Sequence, residues 1–121
     1  MKNALNWFEI IVENFDRAKA FYEKILKQTI KEEKFGNTRM GFFNFDWESG
    51  VGGSIVQSLE SKPSLNGTVV YLNSDGDMDG IISRIESFGG KIIMPKTEIP
   101  PHGFIALFID TEGNKIGLHS I

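Results

Sequence analysis

Cysteine is absent from the 121-residue chain, which excludes disulfide bonds, thiolate-held zinc or iron–sulfur clusters, and a cysteine nucleophile. Histidine is nearly absent, with only His102 and His119, and no Gly-x-Ser-x-Gly elbow occurs, so a Ser–His hydrolase has no support. Basic residues do not dominate: 13 Lys and Arg against 16 Asp and Glu give a net charge of −3. The only clustered basics are diluted in Lys31-Glu32-Glu33-Lys34, which argues against nucleic acid as a partner. No stretch approaches the roughly 18 apolar residues of a membrane span, so no membrane partner is expected. The segment from Met1 to Glu9 lacks the apolar core and small-residue cleavage site of a secretory signal. The expected address is cytoplasmic.

What is present suits one compact domain over 1–121. Hydrophobic residues make up 40% and charged residues 24%, as in ordinary globular proteins. Ten Phe, two Trp and two Tyr promise a Phe-rich core, each burial contributing about 1.5–3 kcal/mol.

Trp7 to Val12 is aromatic and β-branched and reads as a buried strand ending at Glu13-Asn14. Asn14 then caps a helix whose residues Phe15, Ala18, Phe21, Tyr22, Ile25 and Leu26 share one face and which ends near Lys27. The exit lacks a glycine stop, since Lys27-Gln28 stands there. Strands follow at 29–35, 39–45 and 54–59, the last after Gly50-Val51-Gly52-Gly53, which reads as a flexible lip rather than a phosphate cradle. Beyond a turn-rich Lys62-Pro63-Ser64-Leu65-Asn66-Gly67 the order begins again. A strand at 68–74, a capping turn at 75–77, and a helix marked by Met78, Ile81, Ile82, Ile85 and Phe88 run to Gly89-Gly90. Strands at 91–94, 104–109 and 115–120 complete the half, with Asp110 to Asn114 as a hairpin loop.

Phe15, Ala18, Tyr22 and Ile25 map onto Met78, Ile81, Ile85 and Phe88 at a constant spacing of 63 positions. Helix phase and element order agree, so the expected fold is α+β, built as two βαβββ modules over about 5–60 and 67–121. Their strands form a curled mixed sheet around a cleft.

The run Phe8-Glu9-Ile10-Ile11-Val12-Glu13-Asn14-Phe15-Asp16-Arg17-Ala18 through Leu26 resembles the opening of vicinal-oxygen-chelate proteins. That superfamily includes glyoxalase I, bleomycin-resistance and fosfomycin-resistance proteins and extradiol dioxygenases. Met94 to Ile99 and Gly103 to Leu118 resemble the closing strands of its small members. The resemblance implies a cleft in which metal-dependent members place His or Glu at four positions, one on each module's first and last strand. Carried onto this chain they fall at Trp7, Gln57, Val69 and Gly117, and none is a His, Asp or Glu.

Strand alternation groups Trp7, Glu9, Ile11, Gln57, Tyr71, Asn73 and His119 on the cleft side. Trp7, Gln57, Tyr71, Asn73 and His119 are the expected ligand-binding residues, and Glu9, a carboxylate among apolar walls, is the candidate general acid or base. No metal and no other cofactor is expected. A displaced site of Glu9, His119 and His102 is the alternative, because a transition metal needs three or four nitrogen or oxygen donors. The aromatics of Phe42-Phe43-Asn44-Phe45-Asp46-Trp47 read as core rather than as a stacking wall.

The expected function is binding of a small organic molecule in the cleft, within a homodimer. Two alternatives stand beside it: a divalent-metal-dependent lyase, isomerase or dioxygenase of glyoxalase type, and a non-catalytic dimeric scaffold.

Overall fold

A computed structural model describes residues 2–121. The first half runs β1 (Trp7–Ile11), α1 (Phe15–Leu26), β2 (Lys31–Phe35), β3 (Thr38–Phe42) and β4 (Gly52–Gln57). The second runs β5 (Val70–Asn73), α2 (Met78–Ile85), β6 (Lys91–Glu98), β7 (Phe104–Ile109) and β8 (Lys115–Ser120). Both are βαβββ units of an α+β fold. The strands form two four-stranded mixed sheets, one per module, ordered β1-β4-β3-β2 and β5-β8-β7-β6. In each, the first strand lies parallel to the last and the remaining pairs are antiparallel. None of the helices described is long and apolar enough to cross a membrane.

Local chemistry explains the element ends. The Asn14 side chain accepts a hydrogen bond from the Arg17 N–H at 3.0 Å and opens α1. Lys27 closes it without glycine by taking a left-handed conformation, φ 55°. There the N–H groups of Lys27 and Gln28 both reach the Glu23 carbonyl, and the Glu23 carboxylate accepts from the Ile30 N–H at 2.8 Å. After α2, a short 3-10 turn at Glu86–Phe88 leads to Gly89 at φ 104°. This turn leaves Phe88 40% exposed, so the fourth helix position expected in the core lies outside it.

Phe15, Ala18, Phe21, Tyr22 and Ile25 of α1 and Met78, Ile81 and Ile85 of α2 are buried. They join Ile10, Val12, Ile55, Leu72, Phe108, Ile116 and Leu118 in one core shared by both modules. Gly52 and Gly53 are buried inside β4, not a lip. An added Cβ would lie 2.1 Å from the Phe45 ring at Gly52 and 2.4 Å from the Phe8 ring at Gly53, so aromatic rings occupy the space above both.

Polar contacts also tie the halves together. The Glu112 carboxylate, on the β7–β8 turn, accepts from the N–H groups of Glu13 and Asn14 at 3.0 and 2.7 Å and pairs with Arg17 at 2.7 Å. The Tyr22 hydroxyl donates to Asp110 at 2.6 Å, and Asn114 Nδ2 donates to the Ile11 carbonyl at 2.7 Å. From the second helix, Arg84 donates twice to the Ile25 carbonyl, satisfying an orphan acceptor at the end of α1.

Candidate functional site

The register fixes which side chains share a face. In the first sheet Trp7 stands beside Gly52, Glu9 beside Ser54 and Ile11 beside Val56, with Phe42 on the other side of Ser54. Ile55 and Gly41 face the core, so this set faces away from it. In the second sheet Tyr71 stands beside Gly117 and Asn73 beside His119, with Leu107 and Ile105 following on β7.

The residues grouped from sequence are therefore distributed over three places. Trp7 and Glu9 lie on the outer face of the first sheet. Tyr71, Asn73 and His119 lie on the outer face of the second, where Asn73 is exposed and Tyr71 is 47% exposed. Gln57 lies on the opposite face from Trp7, because β4 starts at Gly52 and its phase puts Gln57 toward α1. Its Oε1 accepts from the Phe15 N–H at 2.6 Å, a helix-opening contact. Glu9 is exposed and makes no hydrogen bond or ion pair among the described residues. The His119 ring is held by the His102 carbonyl at 2.7 Å, which leaves the two imidazoles without a shared target.

The register also moves one of the four positions that the resemblance assigns to metal. Ser54 stands against Glu9 as Gly117 stands against Tyr71, so the four become Trp7, Ser54, Val69 and Gly117. An indole, a hydroxyl, an isopropyl group and a bare backbone do not fit a divalent cation, which takes imidazoles and carboxylates. No group of three His, Asp or Glu side chains gathers anywhere among the described residues. The Ser54 hydroxyl is itself buried without a hydrogen-bond partner.

At one of these positions, Trp7, aromatic rings gather. Trp7 meets Phe42, Phe45 and Trp47 with centroids 5.8, 5.7 and 6.0 Å apart, and Phe45 and Trp47 stack at 4.4 Å. Only Phe43 of the 42–47 segment joins the core. The others form a wall, with Trp47 69% exposed, which corrects the reading of this segment as core. A tight turn holds Trp47 in place. Asp46 accepts from the Glu48 N–H and the Ser49 hydroxyl at 2.9 and 2.7 Å, and its carbonyl accepts from the Gly50 N–H at 2.7 Å. Beside the wall lies a depression of about 290 Å³ that reaches edge strand β2. A larger one of about 470 Å³ lies at the start of α2, lined by Asn73, Asp75, Asp77, Lys96 and Phe104.

Comparison with known proteins accords with this architecture. Residues 4–118 match the family model of the Glyoxalase/Bleomycin resistance protein/Dioxygenase superfamily. No curated protein sequence matches the chain. Among solved structures, a glyoxylase/bleomycin resistance protein/dioxygenase domain from Frankia sp. EAN1pec is similar at 17% identity, with a TM-score of 0.71, covering 97% of this chain and 96% of that one. A genomically encoded fosfomycin resistance protein from Listeria monocytogenes is similar at 19% identity and a TM-score of 0.64, covering 100% of this chain and 93% of that one. Glyoxalase I from Zea mays is similar at 18% identity and a TM-score of 0.65, covering 96% of this chain and 45% of that one.

Proposed function

Because the chain belongs to the Glyoxalase/Bleomycin resistance protein/Dioxygenase superfamily, we propose that it uses this scaffold to bind a small organic molecule without a metal. The observation that carries the proposal is the aromatic wall of Trp7, Phe42, Phe45 and Trp47, with Trp7 at one of the positions that the resemblance assigns to metal and Trp47 exposed. Rigid aromatic surface with a few polar neighbours suits an organic ligand, and an exposed Trp fixed by stacking loses little entropy on binding one. Tyr71, Asn73 and His119 offer a second polar-aromatic surface, and Glu9 a free carboxylate.

Trp7→Ala is expected to weaken the binding of indole, followed by calorimetry, about tenfold, which is the 1.4 kcal/mol of one ring contact. EDTA is expected to leave the affinity unchanged. Equal affinity in the variant, or loss of binding on chelation, would overturn the proposal.

The protein is further proposed to work as a homodimer in the cytoplasm, as the sequence analysis expects. The outer face of the second sheet, with Tyr71 47% exposed, favours cover by a second copy, since contiguous apolar patches on soluble monomers are usually small. Size exclusion with light scattering at micromolar concentration should give twice the chain mass. A monomer would refute the dimer.

A further inference from the structure

The depression beside the aromatic wall carries a more specific reading, which rests on the proposal that the wall takes an organic ligand. It is lined by Thr29, Lys31, Glu33, Phe42, Asn44 and Trp47. Lys31 and Glu33 are two residues apart on β2, and both are exposed. Their register partners Phe42 and Met40 put them on the face that carries the wall. The other charged residues of this hairpin, Glu32, Lys34 and Arg39, lie on the opposite face. Arg39 bonds Glu32 at 2.7 Å and Asp16 at 2.9 Å on the opposite face. Lys31 and Glu33 make no ion pair with each other or with any described residue, although they share a face. One free cation and one free anion thus flank an aromatic surface held rigid by the Asp46 turn.

We infer that this slot recognises an aromatic zwitterion, a single or fused ring bearing both a carboxylate and an ammonium group. The ring lies against Trp47 and Phe42, the carboxylate at Lys31 and the ammonium at Glu33. Its volume of about 290 Å³ is at the small end of organic ligand pockets, which limits the ligand to one or two fused rings. Ligand charges of both signs exploit the site because each protein charge gains a partner it lacks, and at this exposed edge the gain depends on ionic strength.

Four probes that share one ring and differ in charge test the assignment by calorimetry at low salt: L-tryptophan, indole-3-acetate, tryptamine and indole. Tryptophan should bind about tenfold tighter than indole. Lys31→Gln should weaken tryptophan and indole-3-acetate about fivefold and leave tryptamine and indole unchanged. Glu33→Gln should weaken tryptophan and tryptamine and spare the other two. Both side chains are exposed on an edge strand, and a circular dichroism spectrum checks that each variant folds. Indole binding as tightly as tryptophan, or a singly charged probe binding tighter, would overturn the zwitterion assignment while leaving the aromatic-wall reading in place. So would variants that affect all four probes alike. Failure of all four probes to bind at millimolar concentration would overturn both.

Discussion

Replacing Glu112 with alanine is expected to lower the free energy of unfolding by about 3 kcal/mol. The Glu112 side chain is 0% exposed although its partner Arg17 is half in solvent. It serves four donors: two backbone N–H groups before α1, the Arg17 guanidinium and the Thr111 hydroxyl at 2.8 Å. Alanine strands these donors together. Glutamine keeps an oxygen for the backbone groups and gives up the charge, so its loss should be about 1 kcal/mol. Urea denaturation checks both, with the midpoint moving and the slope unchanged. A loss under 1 kcal/mol for alanine would mean that the turn does not hold the modules.

The same carboxylate gives stability a pH dependence of known sign. Burial alone would raise its pKa, but hydrogen bonds from Arg17, the Asn14 N–H and Thr111 outweigh burial and hold it below the ordinary 4.5. A carboxyl depressed on folding contributes fully above its unfolded value. That contribution is lost as pH falls through the folded value. The difference in stability between the wild type and Glu112→Ala should therefore be constant above about pH 5.5 and shrink below about pH 4.5. Tyr22 is affected in the other direction: burial, and then the negative charge of Asp110, push its hydroxyl well above the usual 10. It stays a donor through the whole range.

Phe15→Ala is expected to cost about 3–5 kcal/mol, the range for deleting a buried aromatic ring. Phe15 is fully buried and packs closely on three sides. Its Cζ lies 3.0 Å from where a Cβ on Gly41 would stand, the Arg39 guanidinium sits 4.4 Å over the ring, and its own N–H is bound by Gln57. Met78 holds the matching position in the second module, and Met78→Ala should cost about 2–5 kcal/mol. Because one core joins both modules, each variant should shift a single transition. Fluorescence and circular dichroism should report the same midpoint. Separate transitions would show that the modules unfold independently.

The order of elements was legible because its signals are local. Asn14 before a stripe of apolar residues marks α1, Gly89 marks the end of the second helical segment, and Asp110 to Asn114 has turn composition. The phase of β4 was not legible: its first two residues are glycines, which have no side chain to show which way the strand faces. A phase error of one residue exchanges the two faces of a strand, which is why alternation alone places Gln57 in the cleft where the register places Ser54. Alternation failed again at 42–47, where the strand ends at Phe42 and the next residues follow a loop. That moved Phe45 and Trp47 out of the core. The latch at Glu112 left no local trace, since its partners Glu13 and Asn14 lie about a hundred positions away.

Gly117 bears on which substitutions can be made independently of one another. A Cβ placed there would lie 2.3 Å from Tyr71 Cδ2, so a carboxylate at 117 requires Tyr71 to leave or swing away first. A designer installing a metal centre here has to move the Tyr71 ring as well as place an acid at 117 and imidazoles at 7 and 69. A library built to introduce such chemistry would vary positions 71 and 117 together.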